Sequence, residues 1–356
     1  MFVDEIFLSN FRNYEKGHAQ LSRGVNIIYG ENARGKTNLL ESVFMLSAAR
    51  SHRLSRESEM IRFGCESGKI SASFFSRQRQ NSGEITLFSK KKKQIKINKV
   101  PIEKTSELMG IFNTVMFCPE DLRLVKGAPK ERRRMLDLGL CQLSRRYFYV
   151  LSQYVKALDQ RNKLLKNAPD SKTLWVWDEK LAQYGAEVIW LRREYLLKLA
   201  DAAVTVHADI CGEALTLEYV CGGAVTEFLS CEAVREQLIA DMQRLSEREK
   251  RAGMSLTGPH RDDFEIYIDG CEAKLFGSQG QQRTVALSLK MAEVAIVNEH
   301  TGEMPVLLLD DVMSELDGNR QEYILKRIKD IQVIITCTQP FEYENANVIY
   351  VEDVKR

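Results

Sequence analysis

The feature that most constrains this chain is the octapeptide GENARGKT at residues 30–37. It fits the pattern G-x-x-x-x-G-K-[ST], in which glycines let successive backbone N–H groups face one phosphate. A strand-like run, Val25–Tyr29, precedes the loop and a helical pattern, Asn38–Leu46, follows it, so the positive end of a helix is also expected there. Lys36 is predicted to reach the β- and γ-phosphates and Thr37 to offer its hydroxyl to Mg²⁺. The predicted phosphate contacts are Gly30, Glu31, Asn32, Ala33, Arg34, Gly35, Lys36, Thr37 and Asn38.

A pair of acids follows an apolar run near the end of the chain. Val306–Leu309 is continuously apolar, which is typical of a parallel strand buried on both faces. Phosphoryl-transfer sites of the P-loop class hold Mg²⁺ with a carboxylate at the end of such a strand. Asp310 is therefore the predicted second metal residue, and Asp311 is the candidate base for an attacking water. Val333–Ile335 predicts another buried strand.

A second glycine-containing helix start occurs at Ser278–Arg283, with the helical run Thr284–Leu289 after it. A serine and a glycine at a helix N-terminus form a further potential phosphate site. The simpler alternative is a polar cap on that helix. One chain would then carry two phosphate-binding helix starts, far apart in sequence.

The remaining patterns predict an α/β fold interrupted by helices. Short alternating runs between Ile70 and Ile102 indicate an antiparallel sheet with Lys90–Lys93 at a turn,. Residues 131–250 are mainly helical, with a turn at Asn167–Asp170 and a β-like patch at Leu215–Val220. This middle part is either an unrelated helical domain or an arm inserted into the nucleotide-binding domain. The predicted divisions are 1–105, 106–252 and 253–356.

Composition restricts the possible functions of the chain less than the motifs do. The 356 residues carry a formal net charge of +2, so nucleic acid would have to bind local basic clusters, each of which is more often a solvated face. The first residues do not resemble a signal peptide and the apolar runs are too short to span a bilayer, so a cytoplasmic protein without a membrane segment is expected. The eight scattered cysteines indicate reduced thiols,. The basic clusters are Lys90–Lys93 with Lys96 and Lys99, Arg132–Arg134, Arg145–Arg146 and Arg192–Arg193.

The order of these motifs resembles the ABC-type ATPases. Ser278–Gln282 is similar to their signature motif, which contacts the γ-phosphate from the opposite subunit, and Ser314–Asp317 is similar to their D-loop. Thr338 stands where these enzymes usually have a switch histidine. No clear Q-loop glutamine is present in Leu124–Gly127, so no metal ligand is assigned there.

Nucleotide-binding halves at both ends of a chain, separated by a helical insert, are the layout of the SMC and Rad50-like ATPases. Within that branch, stretches from the first to the last quarter of the chain resemble the RecF family of bacterial recombination-mediator ATPases. They are Leu8–Tyr14, Ser51–Arg53, Pro119–Leu122, Leu124–Gly127, Arg132–Arg134, Thr257–Asp263 and Gly277–Arg283. The roles of Ser51–Arg53 and His260–Asp263 stay open between function and hydrogen-bonded loop structure.

The resemblance implies an ABC-type P-loop ATPase head, with a mixed or parallel sheet plus an antiparallel β subdomain, and an inserted α-helical arm. It implies ATP and Mg²⁺ as cofactors, ATP-dependent homodimerisation, binding of DNA, and RecO and RecR mediators as partners. It implies weak ATPase activity in DNA repair, replication restart and the SOS response. By position, Lys36 and Asp311 become the catalytic residues and Thr37 and Asp310 the metal ligands. Arg12 lies near the nucleotide, and the residues offered at the site of a second copy are Ser278, Gly280, Gln281 and Asp317.

Three alternatives remain at this stage. The chain could be an ATP-gated DNA clamp or scaffold with negligible turnover, because Asp311 stands where many ABC enzymes carry glutamate. It could be another SMC and Rad50-like head. It could also be an ABC head that drives a transporter, although the helical insert argues against that.

Overall fold

The computed structural model describes residues 1–52, 56–167, 171–223, 225–226 and 228–355. The chain divides into two compact units. The head unit comprises Met1–Leu122, Val206–Gly212 and Arg283–Arg356, and the arm unit comprises Arg123–Thr205 and Glu213–Gln282. The divisions at 105/106 and 252/253 stay predictions. Arg53, and residues 168–170 of the predicted turn, lie outside the described residues.

The bounds of the strands follow in chain order. They are β1 (Phe2–Phe11), β2 (Tyr14–Gln20), β3 (Val25–Tyr29), β4 (Ser67–Ser76), β5 (Arg79–Phe88), β6 (Gln94–Ile97), β7 (Val100–Ile102), β8 (Thr114–Phe117), β9 (Leu215–Val220), β10 (Asp263–Ile268), β11 (Cys271–Glu272), β12 (Val306–Asp310), β13 (Val333–Cys337) and β14 (Asn347–Tyr350).

The α-helices have equally clear bounds. They are α1 (Lys36–Ala48), α2 (Arg123–Lys126), α3 (Pro129–Leu143), α4 (Arg145–Lys166), α5 (Ser171–Cys211), α6 (Cys231–Ala252), α7 (Ala273–Phe276), α8 (Gln279–Thr301) and α9 (Gly318–Arg327).

A five-stranded parallel sheet lies in the head unit, in the order β14-β3-β13-β12-β8. All five residues of β12 and of β13 are buried, which confirms the two strands predicted from continuous apolar runs. The sequence analysis missed β8 and β14. Each has only four residues, too few to show a period of their own.

The head unit also contains a six-stranded sheet in the order β2-β1-β4-β5-β6-β7. Its pairings are all antiparallel, and Lys90–Lys93 lie between β5 and β6. The predicted antiparallel sheet with its lysine turn is therefore confirmed. Along β4 the residues alternate between buried and half-buried, so the sheet has one packed face and one face toward solvent.

The arm unit combines helices α3, α4 and α6 and most of α5 with the three-stranded sheet β11-β10-β9. The predicted β patch is β9. Buried arginines hold this unit together: Arg161 is 1% exposed and donates to Asp178 (2.6 Å) and to Glu249 (2.7 Å). Buried charges persist only when paired in this way.

The basic cluster Arg132–Arg134 is only partly a surface feature. Arg132 is buried and forms a two-pronged ion pair with Asp263, at 2.6 and 2.7 Å. Arg192 is also buried, bonded to Asp137 and to the carbonyl of Pro259 (2.7 Å). These two arginines serve the interior of the arm unit rather than a nucleic acid.

The segment His260–Asp263, whose role the sequence left open, supplies several of these internal contacts. Tyr154 donates its hydroxyl to Nδ1 of His260 (2.6 Å), and Nε2 of His260 donates to the carbonyl of Ser255 (3.2 Å). Burial lowers the pKa of His260 to about 4. The neutral imidazole is thus the form that fits this pair of partners.

We expect this histidine to make the arm unit sensitive to acid. Its folded-state pKa lies below the usual value of 6.5, so the folded state binds fewer protons. The contribution is fully present above pH 6.5 and is lost as the pH falls toward 4, at up to about 1.4 kcal/mol per pH unit. All three tryptophans (175, 177 and 190) lie in this unit, so urea titrations followed by tryptophan fluorescence measure it.

The matched variant is His260→Gln, whose amide can accept from Tyr154 and donate to Ser255 without titrating. Its unfolding free energy should fall less between about pH 6.5 and about pH 4.5 than that of the wild type. Equal losses for both proteins would show that His260 does not carry the acid sensitivity.

Candidate functional site

The loop Gly30–Lys36 has the backbone that the glycine pattern predicts. Gly30 and Gly35 have φ values of 148° and 109°, which residues with a Cβ atom rarely adopt. A Cβ on Gly30 would also lie 2.6 Å from Val351, and one on Gly35 would lie 2.7 Å from the Asn13 amide. These two positions therefore require glycine for both conformation and space.

Lys36 is 7% exposed and lies folded over its own loop. Its ammonium donates to the carbonyl oxygens of Gly30 (2.6 Å) and Glu31 (2.9 Å). Carbonyl oxygens are weaker partners for an ammonium than a phosphate is. The side chain is thus held at the loop, where an anion could replace these contacts.

The turn between β1 and β2 supports the loop from one side. Asn13 donates its side-chain amide to the carbonyl of Arg34 (2.9 Å) and accepts from the amide of Asn38 (2.9 Å). The buried Tyr14 hydroxyl donates to the carbonyl of Gly35 (3.1 Å). Asn13 and Tyr14 belong to the RecF-like stretch Leu8–Tyr14, but the sequence assigned them no role, because nothing local to them indicates a contact with a loop about 20 residues away,.

Asp310 accepts two hydrogen bonds at the carboxyl end of β12. Its Oδ1 atom accepts from Thr37 Oγ1 (2.9 Å) and from Thr336 Oγ1 (2.7 Å). Thr37 belongs to α1 and Thr336 to β13, so three elements meet at one carboxylate. The predicted neighbours Thr37 and Asp310 are brought together, although 273 residues separate them.

Asp311 follows with an unusual backbone. Its φ is 54°, and its N–H donates to the hydroxyl of Thr336 (3.0 Å) and to the carbonyl of the same residue (3.2 Å). Thr336 thus orients the side chain of Asp310 and the backbone of Asp311. The sequence analysis passed over Thr336 and singled out Thr338, which lies exposed beyond the end of β13. A role for Thr338 stays a prediction.

Cys337 is the next residue on β13. Burial raises the pKa of its thiol to about 11, with Asp311 adding to the shift and Lys36 opposing it. The shift favours the protonated thiol, which is a poorer nucleophile than the thiolate.

Arg12 is half-buried and forms an ion pair with a buried acid. Its guanidinium donates to both oxygens of Glu41, at 2.8 and 2.9 Å, and to the carbonyl of Glu59 (3.3 Å). Glu41 is fully buried on α1 and also accepts from the Ser51 hydroxyl. Arg12 therefore fixes the β1–β2 turn to α1.

An open cleft of about 670 Å³ adjoins the loop. Its wall includes Arg12, Asn13 and Asn38, of which Asn13 contacts the phosphate loop directly at Arg34. The remaining wall comes from the segment around Phe63, whose ring is wholly exposed. The lining residues are Arg12, Asn13, Asn38, Ser58, Glu59, Ile61, Arg62, Phe63, Gly64 and Cys65.

The signature-like segment belongs to the arm unit. Ser278 accepts from the N–H of Gln281 (3.2 Å), and the side chain of Gln281 accepts from the N–H of Ser278 (2.9 Å). This reciprocal pair is a capping box at the start of α8. The polar cap that served as the simpler alternative is thus present. A phosphate contact by Ser278, Gly280 or Gln281 stays a prediction.

Asp317 caps α9. It accepts from the N–H of Arg320 (3.1 Å) and pairs with the guanidinium of the same residue. Arg320 in turn donates to Thr284 of α8 (2.8 Å). The D-loop-like segment is therefore tied to α8 within the head unit, and a nucleotide contact by Asp317 is not tested by this geometry.

Comparison with known proteins gives the family. The family described as RecF/RecN/SMC N terminal domain matches residues 2–354. The DNA replication and repair protein RecF of Agathobacter rectalis is 44% identical over 346 residues, 95% of this chain and 92% of that protein. The same protein of Acetivibrio thermocellus is 40% identical over 353 residues, 98% of this chain and 96% of that protein.

The chain belongs to the RecF family. A solved structure of the recombination mediator protein RecF-ATP in the RecFOR pathway matches this RecF-family chain with a TM-score of 0.91 and 39% identity, covering 98% of this chain and 96% of that one. An Smc head bound to the C-winged helix domain of ScpA matches with a TM-score of 0.53 at 14% identity, which shows a shared fold. The predicted α/β class with an ABC-type ATPase head is confirmed.

Among the helices that the structure describes, none is both long and apolar enough to cross a lipid bilayer.

Thr336 gives a direct test of the acid junction. We expect Thr336→Val to cost about 1–3 kcal/mol of unfolding free energy, because Asp310 loses a donor and the N–H of Asp311 loses an acceptor in a buried place. Thr336→Ser keeps the hydroxyl and should cost clearly less. Chemical denaturation of both variants measures the difference, and equal losses would contradict the role of the hydroxyl.

Proposed function

We propose that this RecF-family protein is an ATP-dependent DNA-binding protein of recombinational repair, replication restart and the SOS response. ATP joins two copies on DNA at single-strand gaps, where the dimer helps recombinase loading together with RecO- and RecR-type mediators. The place of action is the bacterial cytoplasm. The proposal is supported by the identity to RecF proteins along the whole chain and by the RecF-ATP relative.

The observation that carries the nucleotide part is the convergence of the phosphate loop with Asp310. Lys36 lies folded over the glycine loop, and Thr37 lies 2.9 Å from the carboxylate. A triphosphate on the loop would meet successive N–H groups, the start of α1 and the Lys36 ammonium. The proposed nucleotide contacts are Arg12, the residues Gly30 to Asn38, and, from a second copy, Ser278, Gly280, Gln281 and Asp317.

The same place fits Mg²⁺. The hydroxyl of Thr37 and the carboxylate of Asp310 are hard oxygen donors, and a phosphate with water would complete the shell that Mg²⁺ prefers. When bound, the ion neutralises charge on the β- and γ-phosphates. Thr336 also donates to Oδ1 of Asp310 and so helps to hold the carboxylate in place.

Hydrolysis is proposed to be weak. Asp311 is the candidate base, and its side chain is one methylene shorter than the glutamate of many ABC enzymes. The backbone of Asp311 is fixed by its hydrogen bond to Thr336. The carboxylate therefore cannot move far toward an attacking water, and the water would have to bind close to it. ATP acts in this proposal mainly as an adhesive between subunits, and hydrolysis separates them.

The proposal is tested by light scattering with and without ATP and gapped DNA. We expect ATP-dependent dimers for the wild type and monomers for Lys36→Ala and Ser278→Arg, because each variant removes one half of a shared site. A wild type that stays monomeric with ATP and DNA would contradict the proposal.

The chain offers a matched control for the arginine substitution. Ser230 caps α6 in the arm unit and accepts from the N–H of Ala233 (3.0 Å), as Ser278 does from Gln281 on α8. Ser230→Arg removes a cap of the same kind, at a cost of about 1 kcal/mol, without touching the signature-like segment. It should dimerise like the wild type.

A clamp with negligible turnover is the second candidate, and the short Asp311 side chain favours it. Phosphate release under multiple turnover separates the two. Slow release that DNA stimulates supports the weak ATPase, whereas DNA-dependent dimers without release support the clamp.

A further inference from the structure

The six-stranded sheet of the head unit presents a polar face to solvent. Its side chains form rows that cross the strands, because the register places residues of successive strands side by side. One row contains Lys16, Ser9, Lys69 and Thr86 of β2, β1, β4 and β5. The next row contains His18, Phe7, Ser71 and Glu84, followed by Lys96 of β6.

An exposed aromatic pair stands in the second row. The rings of Phe7 and His18 are stacked, with centroids 4.3 Å apart and planes at 3°. Phe7 is 44% exposed, and the side chain of His18 is 46% exposed. On the other side of Phe7, the neighbour in β4 is Ser71, whose side chain is much smaller than an aromatic ring.

Cationic side chains accompany the aromatic pair. Lys16 and Lys69 flank Ser9 in the adjacent row, two residues or about 7 Å further along the strands. Lys69 and Lys96 both contact Glu84, at 2.6 and 3.1 Å, and the contact with Lys69 is the main cause that lowers the pKa of Glu84. Two lysines therefore outnumber the carboxylate at Glu84, while His18 lies 3.5 Å from the carboxylate of Glu5 in the row beyond.

The rest of the face suits a close approach of a polar chain. Ser9, Ser71 and Thr86 occupy positions between the charged and aromatic residues, and their hydroxyls are potential donors to phosphate oxygens. At the end of β5, Lys91 lies 4.0 Å from the centre of the Phe88 ring and extends the basic margin through the lysine turn.

We infer that this face binds single-stranded nucleic acid, with bases stacking beside Phe7 and His18 and phosphates on Lys16 and Lys69. Stacking platforms next to lysines are the way in which proteins hold unpaired strands without reading sequence. Duplex bases are already stacked on each other, so the aromatic pair selects a single strand. A protein partner is disfavoured, because protein interfaces are depleted in lysine and have an apolar centre. The inference rests on the proposed association with DNA and gives it a surface.

The stacking part is tested without nucleotide, by fluorescence anisotropy of labelled oligo(dT) and oligo(U) strands longer than about 16 nucleotides. Phe7→Leu keeps an apolar side chain but removes the ring, and should weaken oligo(dT) binding about tenfold. Phe7→Tyr keeps the ring and should bind like the wild type. Equal affinities of Phe7→Leu and the wild type, or binding of oligo(U) alone, would overturn the inference.

The charge part uses a double variant and a double control. Lys16→Gln with Lys69→Gln should reduce the slope of log affinity against log salt by about 1.4, since each single-strand phosphate contact contributes about 0.7. Lys326→Gln with Lys329→Gln removes the same charge from α9 and the residues after it, and should leave the slope unchanged. An equal decrease of the salt slope in both double variants would show a general charge effect and contradict a site on the sheet.

Failure of this inference is distinguishable from failure of the proposed function. If the sheet variants bind oligo(dT) like the wild type, while ATP still drives dimers on gapped DNA, the face is not the single-strand site and the proposed function stands. If oligo(dT) binding depends on Phe7 but ATP yields no dimers, the face is supported and the dimer proposal falls.

Discussion

The carboxylate of Asp310 is the point on which the candidate site depends. Parallel strands bring their carboxyl ends to one edge of a sheet, and there Oδ1 of Asp310 accepts from Thr37 and from Thr336. The phosphate loop, the acid pair and the end of β13 are thus coupled through one group. A shift of any of these elements changes the placement of the others, because both hydrogen bonds end on the same carboxylate oxygen.

Both ends of the chain support the loop that the motif defines. Asn13 and Tyr14, from the first hairpin, hold the carbonyls of Arg34 and Gly35. Val351 packs where a Cβ on Gly30 would lie, and its N–H donates to Tyr29 (2.9 Å). The loop conformation is therefore a property of the whole head unit, and the local pattern GENARGKT is necessary for it rather than sufficient.

The sequence was informative where a pattern is local. The loop, its flanking strand and helix, the buried strands β12 and β13 and the antiparallel sheet were all predicted, since each follows from residues next to one another. The sequence assigned no role to Asn13 or Thr336, because their contacts with Arg34 and Asp310 span 21 and 26 residues. The cap formed by Ser278 and Gln281 shows a further limit, since one pattern serves helix capping and anion binding alike.

The central claim is that the loop of one copy and the signature-like segment of another make one ATP site. Mixing Lys36→Ala with Ser278→Arg tests it most directly, because a mixed dimer contains one intact pair of halves. With labelled ATP and gel filtration, the account predicts that the mixture retains ATP in a dimer-sized fraction that neither variant forms alone. A mixture that behaves as the sum of the two variants would contradict it.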